Sequence, residues 1–171
     1  MYYIILGIIA LLSIFRFRRR KDYVALFHPY CDAGGGGERV LWCAVRAMQN
    51  KWPHLSFVVY TGDLGATKES ILLRARQRFN VEVDPRNVEF IFLRLRPIVE
   101  ARWYPRFTLV LQTLAGGILA LEAICRFVPS VFIDSMGYPL SLPVFRLLGG
   151  AQVAAYVHYP TISCGNKMCI H

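Results

Sequence analysis

The chain reads Tyr23-Val-Ala-Leu-Phe-His-Pro-Tyr-Cys-Asp-Ala-Gly-Gly-Gly-Gly37, an apolar run that leads into four consecutive glycines. The first five of these residues are typical of a buried β-strand, and residues 38–50 have the apolar spacing of a helix. A strand, a glycine-rich turn and a helix in this order are typical of the first unit of a parallel α/β sheet. This stretch therefore indicates the fold class.

The rest of the chain repeats the alternation of strand and helix. Four more short apolar runs predict strands at 57–60, 88–93, 131–133 and 153–157, with helices at 67–79, 107–127 and 140–148 between them. We therefore predict a Rossmann-like parallel sheet with helices on both faces. The long apolar helix at 107–127 has two open interpretations, a buried crossover helix, which we favour, and a second membrane span.

The N-terminal segment predicts a membrane anchor. Residues 2–15 carry no charge, and Arg16, Arg18, Arg19, Arg20 and Lys21 follow them. In a secretory signal the positive charge comes before the apolar run, whereas here it comes after it, so this segment does not match a secretory signal. Although a full crossing needs about 20 residues, we expect residues 1–17 to form one anchor, with the chain from residue 16 onward in the cytosol. A helix lying flat on the membrane or buried in a core stays open as the alternative.

Composition excludes several classes of protein. Of the 171 residues 55% are hydrophobic and 18% are charged, which is incompatible with a disordered chain. The net charge of +9 raises nucleic acid as a partner, but five of the positive charges lie in residues 16–21, and the remainder is only +4. We therefore predict no nucleic-acid partner. Five irregularly spaced cysteines do not form a disulfide framework, which favours a cytosolic location for the folded part.

Candidate site residues follow the predicted strands. Ligands of such sheets bind beyond the carboxyl ends of the strands, where we expect three features to meet: a glycine segment (Gly34, Gly35, Gly36 and Gly37), Asp134 with Ser135, and His158. Backbone N–H groups of the glycines suit an anion, although the spacing is neither a Walker loop nor a dinucleotide fingerprint. Each of the three polar candidates has two open interpretations. Arg39 is either a phosphate contact or a solvated charge, and Asp134 is either a contact to a hydroxyl group or the cap of a turn. His158 is either a hydrogen-bond partner of a sugar or phosphate or a structural residue.

Basic and aromatic residues alternate before the long helix, at Arg94, Arg96, Arg102, Trp103 and Arg106. This pattern suits an anionic membrane surface or a lipid phosphate, and a merely solvated face stays open. RNA is a competing ligand, but no RNA-binding motif is present.

The C-terminal Cys164, Cys169 and His171 lack the paired spacing of a zinc site, so no metal is predicted.

Four segments resemble one family closely: residues 28–42, 59–63, 132–137 and 156–163. They are similar to the N-terminal half of the endoplasmic-reticulum α-1,2-mannosyltransferases of asparagine-linked glycosylation, in glycosyltransferase family 4. The resemblance extends over about residues 2–163. It implies an enzyme that adds the fourth and fifth mannoses to a dolichol-diphosphate-linked oligosaccharide, using GDP-mannose on the cytosolic face of the endoplasmic reticulum membrane.

The resemblance also implies how the site is built. The family has two Rossmann-like domains in the GT-B arrangement, the first holding the acceptor and the second most of the nucleotide sugar, and it uses no metal or other cofactor. By resemblance Gly34–Gly37 approach the donor diphosphate, and His158 is the catalytic-site histidine that contacts the donor sugar. Other glycosyltransferases of the same lipid-linked oligosaccharide are further possible partners.

The sequence departs from the family after Ser163, where it continues Cys-Gly-Asn-Lys-Met-Cys-Ile-His. We therefore expect a Rossmann-like domain at residues 18–163 and an atypical tail at 164–171, with the second domain missing. Two interpretations follow. The chain is a truncated and inactive part of the mannosyltransferase, or it is a non-catalytic, membrane-anchored half-domain that binds lipid-linked acceptor or partner enzymes.

Overall fold

A computed structural model describes residues 2–31, 33–100, 103–104, 106 and 108–156, and these contain a five-stranded parallel sheet. The strands are β1 (Arg20–Phe27), β2 (Ser56–Thr61), β3 (Val88–Phe92), β4 (Pro129–Asp134) and β5 (Gln152–Ala155). Their order is β3-β2-β1-β4-β5, and every neighbouring pair is parallel. The predicted parallel, Rossmann-like α/β fold is confirmed.

The helices alternate with these strands as the spacing predicts. They are α1 (Tyr2–Phe17), α2 (Gly36–Lys51), α3 (Lys68–Phe79), α4 (Thr108–Arg126) and α5 (Ser141–Pro143), and the last continues as a π-helical segment, Val144–Leu148. Two short 3-10 turns, Pro85–Asn87 and Arg96–Val99, flank β3. The reciprocal hydrogen bonds of Thr67 and Ser70 cap the start of α3.

Strand residues alternate between two hydrophobic cores, one on each face of the sheet. Val24 and Leu26 of β1 point towards α2 and α3, whereas Ala25 and Phe27 point towards α4 and the π-helical segment. Helices therefore cover both faces, as predicted. The α4 helix buries Ala115, Leu119, Ala120 and Ala123 against the sheet, as a crossover helix does.

One helix of the described part of the chain, α4, is long and apolar enough to cross a membrane by length and composition. The α1 helix is apolar but shorter. Near the end of α1, Phe15 is only 7% exposed and packs into the hydrophobic core between α4 and the sheet. Most of the other described apolar side chains of α1 are exposed. A role of α1 as membrane anchor stays a prediction.

Candidate active site

The strand order reverses between β1 and β4, and the crevice at that switch point is where ligands of such sheets bind. His28 follows β1 and Ser135 follows β4, and His28 Nδ1 lies 2.7 Å from Ser135 Oγ. The Ser135 hydroxyl donates its proton to the carbonyl of Phe27, at 2.9 Å. The hydrogen bond between His28 Nδ1 and Ser135 Oγ, whose donor depends on the tautomer of the imidazole, ties the two loops together.

The imidazole of His28 is held neutral. Burial lowers its pKa from 6.5 to about 4, against the smaller opposing effect of a backbone hydrogen bond to Tyr30. The Cε1 edge of the ring points at the start of α2, since it lies 3.8 Å from the position that a Cβ on Gly37 would take. A neutral histidine thus lies directly beneath the glycine segment. From the sequence, His28 ends its predicted strand in the same way as His158, but only His158 was included among the candidate site residues.

The burial of His28 predicts a loss of stability in acid. Because the unfolded histidine binds a proton at higher pH than the folded one, stability is fully present above pH 6.5 and declines as pH falls towards 4. Between pH 7 and pH 5 the contribution falls by about 2 kcal/mol. Urea unfolding of the wild type and of His28→Asn, whose amide keeps a donor for Ser135, measures it. Equal pH dependence in the two proteins would contradict the assignment.

The glycine segment divides into a turn and a helix start. Gly34 has φ of +76°, a left-handed conformation that favours glycine, and Gly35 is the N-cap of α2 with no side chain capping the helix. Gly36 and Gly37, predicted as loop, lie in the first turn of α2. The N–H groups of that turn have no partners within the helix, so they are available to an anion.

Glu38 fixes the shape of this segment from inside. Its carboxylate, 2% exposed, accepts hydrogen bonds from the Gly34 N–H at 2.5 Å and from Trp42 Nε1–H at 3.5 Å. The left-handed turn at Gly34 is therefore held by the helix that follows it. One N–H of the predicted anion site is already occupied, and the open part of the site begins at Gly35.

Two arginines flank the glycine segment. Arg39, a predicted phosphate contact, is exposed on α2, and Arg78 at the end of α3 places its guanidinium directly against Gly34. Among the described residues neither side chain forms a hydrogen bond or ion pair. Both charges are available to an anion at the segment. The sequence did not single out Arg78, because α3 carries several arginines and their spacing alone does not show which one reaches another loop.

Asp134 ends β4 and is 1% exposed. Its Oδ1 accepts hydrogen bonds from the N–H groups of Met136 and Gly137, and its Oδ2 accepts from the Tyr138 N–H and the Ser141 hydroxyl. Burial raises the pKa of this carboxyl, and these hydrogen bonds oppose the rise. The structure thus shows the turn cap, and the predicted hydroxyl contact stays a prediction.

The side chains of the basic and aromatic stretch after β3 differ in exposure, with one arginine turned into the protein and the other described members exposed to solvent. Arg96 turns inward, pairing with Asp63 at 2.5 Å and stacking its guanidinium 4.6 Å from the ring centre of Tyr30. Arg94, Trp103 and Arg106 are exposed. Their predicted membrane or lipid-phosphate contacts stay predictions, and Arg102 lies outside the described residues.

The predicted catalytic-site residue His158 and the tail 164–171 also lie outside the described residues. The chain is described up to Tyr156, whose N–H donates to the carbonyl of Asp134 at 2.7 Å and so brings the end of β5 beside β4. Within the described ranges, no group of three or more histidine, cysteine or carboxylate side chains could hold a metal ion.

Comparisons with known proteins agree on one family. Residues 21–169 match the family described as the ALG11 mannosyltransferase N-terminus. The chain is 62% identical over 167 residues to a Caenorhabditis elegans protein named GDP-Man:Man(3)GlcNAc(2)-PP-Dol alpha-1,2-mannosyltransferase, covering 95% of this chain and 35% of that protein. Proteins of the same name from Xenopus tropicalis and Homo sapiens are each 53% identical, over 145 and 146 residues.

Those two matches cover 85% of this chain and 30% and 29% of the relatives. The chain thus spans about a third of the length of the curated relatives it matches. No solved structure matches it.

Proposed function

The chain belongs to the ALG11 mannosyltransferase N-terminus family, and from that membership we propose that it forms the N-terminal half of a GT-B glycosyltransferase. The enzyme transfers mannose from GDP-mannose, in α-1,2 linkage, to a dolichol-diphosphate-linked oligosaccharide as its fourth and fifth mannoses. The observation that carries the proposal is the 62% identity over 95% of the chain to a protein named for this reaction. The open glycine segment at the switch point of the sheet supports it.

The chemistry needs a site for negative charge. In the transfer, the bond from mannose C1 to the β-phosphate oxygen of GDP breaks, a bond from C1 to an acceptor hydroxyl oxygen forms, and the proton of that hydroxyl is released, so that the products are the mannosylated acceptor, GDP and a proton. Charge grows on the departing diphosphate, and preorganised backbone N–H groups stabilise it most effectively in a dry site. The first turn of α2 offers such groups, with Arg39 and Arg78 beside them. His158 contacts the donor sugar in this proposal.

The acceptor is proposed to approach from the neighbouring side of the same sheet edge. A cleft of about 500 Å³ lies there between the start of α4 and the turn that Asp134 caps, and its lining includes Leu109, Met136 and Tyr138. It combines apolar walls with the polar Gln112 and Thr113. Such a cleft suits sugar rings, which offer both C–H faces and hydroxyl groups.

The membrane location is part of the proposal. In it α1 crosses the endoplasmic reticulum membrane, and the arginines from Arg16 onward remain on the cytosolic side because cationic residues flank membrane helices there. Association with other glycosyltransferases that extend the same lipid-linked oligosaccharide is proposed on the shared substrate alone.

A chimera tests the proposed function. Residues 1–163 replace the matching part of the Caenorhabditis elegans relative, and the chimera is expressed in cells that lack their own enzyme. We expect labelled mannose to pass from GDP-mannose to the dolichol-linked acceptor, with the lipid-linked products extracted and sized. The same chimera with His158→Ala should lose transfer. A chimera that is folded and membrane-bound but extends no acceptor would overturn the proposal.

A further inference from the structure

A basic cavity of about 460 Å³ lies at the amino edge of the sheet, where α1 ends and β1 begins. Four arginine side chains line it, three from residues 18–20 and one, Arg126, from the last turn of α4, and none of its described lining residues is acidic. The candidate active site lies at the carboxyl edge of the same sheet. The cavity is therefore a separate place for a ligand, and no part of the proposed reaction uses it.

The protein holds two of these arginines in place without neutralising them. Arg18 donates to the backbone carbonyl of Cys125 at 3.2 Å, and Arg19 donates to that of Gly150 at 2.6 Å. A carbonyl group carries no net charge, so each guanidinium keeps its positive charge. Each guanidinium also has five N–H donors, of which these bonds use one. Donors and charge therefore remain for a ligand in the cavity.

The carbonyl groups at the end of α4 are occupied by donors of the chain itself. The last carbonyl groups of a helix carry partial negative charge, which repels anions when these groups are unpaired. Besides the carbonyl bound by Arg18, that of Phe127 accepts from the Tyr60 hydroxyl at 2.8 Å. The Val128 carbonyl accepts from the Arg20 N–H at 2.9 Å. With these carbonyl groups occupied, the arginines determine the electrostatic potential in the cavity.

The cavity carries more positive charge than one negative charge neutralises. Of the four arginines only Arg126 pairs with a carboxylate in the described part of the chain, with Glu122 at 2.7 Å. The Arg20 side chain forms no hydrogen bond or ion pair with any described residue. A phosphate monoester has a charge of about −1.5 to −2 at pH 7 and three acceptor oxygens, and guanidinium groups match those oxygens with paired N–H groups. The lining therefore fits a phosphate monoester.

Apolar side chains next to the cavity indicate that the phosphate belongs to a lipid. Phe17, the last residue of α1, lines the cavity and is 92% exposed, and Ile14, one turn earlier, is 55% exposed. An inorganic phosphate or a sugar phosphate would leave these side chains in water. A lipid whose phosphate lies among the arginines would cover them with its hydrocarbon chain.

We infer that the cavity binds the phosphate monoester headgroup of a lipid, with the hydrocarbon chain of that lipid along the end of α1. A glycerolipid phosphate and an isoprenoid lipid phosphate share this chemistry. The bound phosphate bridges residues 18–20 and the end of α4, and it thereby holds α1 in a fixed position on the domain. Arg16, which donates to the carbonyl of Leu147 at 3.5 Å, adds a further contact at the same junction. The inference requires neither mannose transfer nor a membrane-spanning α1.

Native mass spectrometry of the full chain in neutral detergent tests the inference, because it counts the ligands bound to each protein molecule. The probes are dioctanoyl phosphatidic acid, farnesyl phosphate, dioctanoyl phosphatidylcholine and inorganic phosphate. We expect a single molecule of phosphatidic acid or of farnesyl phosphate per chain, bound more tightly than phosphatidylcholine and inorganic phosphate by roughly tenfold or more. The tighter of the two lipid phosphates identifies the source. If neither lipid phosphate binds more tightly than both phosphatidylcholine and inorganic phosphate, the inference is wrong.

Two neighbouring substitutions distinguish the cavity from a diffuse attraction by the basic segment. Arg20→Gln removes a cavity charge whose side chain has no partner among the described residues, so it should weaken binding of the lipid phosphate by roughly tenfold and leave the melting temperature unchanged. Lys21→Gln removes the same charge from the next residue, which is exposed but does not line the cavity, and it should change binding by less than about twofold. Equal effects of the two variants, whether both weaken binding or neither does, would overturn the assigned site.

Discussion

Gly35→Val should abolish mannose transfer while leaving the fold intact. In the chimera we expect transfer to fall by roughly 10²–10³-fold, the range found when one hydrogen-bond donor to developing charge is lost. Gly35 has φ of −87° and ψ of 173°, an extended conformation that valine adopts readily, and a Cβ built there meets no atom within 4 Å. The isopropyl group would fill the open space in front of the first turn of α2, where the donor diphosphate is proposed to bind.

The matched control is Gly65→Val. Gly65 lies in the turn between β2 and α3, and a Cβ there also meets no atom within 4 Å. Both variants should melt at the temperature of the wild type, and only Gly35→Val should lose transfer. Gly34→Ala is a poorer test, because the left-handed φ of Gly34 would add backbone strain to any effect on the ligand. If Gly35→Val transfers mannose at the wild-type rate, the glycine segment does not approach the donor.

The sheet could be predicted from the sequence because its strands are short apolar runs separated by helix-length segments. The predicted bounds of β1 miss Arg20 at its start, since a charged residue at a strand end does not extend the apolar pattern. Arg20 nevertheless pairs with Pro129 of β4 in the ladder. The approach of the two loops that follow β1 and β4 was also predictable, because parallel strands end at one edge, whereas the approach of His158 to them stays a prediction. His28 and Ser135, 107 residues apart, meet there.

The directions of polar side chains could not be predicted in the same way. Arg94 and Arg96 lie in the same basic stretch, yet Arg96 turns inward to Asp63 whereas Arg94 is exposed. A long flexible side chain takes its direction from partners that are distant in the chain, which local spacing does not reveal. The direction of the Arg78 side chain could not be predicted for the same reason, since its position beside Gly34 depends on how α3 packs against α2. The fold was therefore more predictable than the composition of the site.

Asp134→Ala should lower the free energy of unfolding by about 3 kcal/mol, because it removes the acceptor for three backbone N–H groups and one hydroxyl. Water can reach part of the turn, and the carboxylate itself is costly to bury, so the loss is smaller than the sum of four separate bonds. Asp134→Asn keeps an oxygen where Oδ1 accepts from Met136 and Gly137, and it should lose about 1 kcal/mol. Asp22→Ala, which removes an exposed carboxylate on β1, should change stability by less than about 0.5 kcal/mol.

Urea unfolding measures the free energy of unfolding of the three variants. Mannose transfer by chimeras that carry the same substitutions is the second measurement. If Asp134 acts only as the cap of its turn, transfer by Asp134→Asn should follow the folded fraction, because both carboxylate oxygens already accept hydrogen bonds from the chain's own donors. A well-folded Asp134→Asn protein whose transfer falls tenfold or more (about 1.4 kcal/mol in the barrier) would instead establish the predicted contact with a substrate hydroxyl. Such a result would require one of the present hydrogen bonds to open when substrate binds, with Ser141 the readiest to move, since its hydroxyl lies 2.7 Å from a second acceptor, the carbonyl of Tyr138.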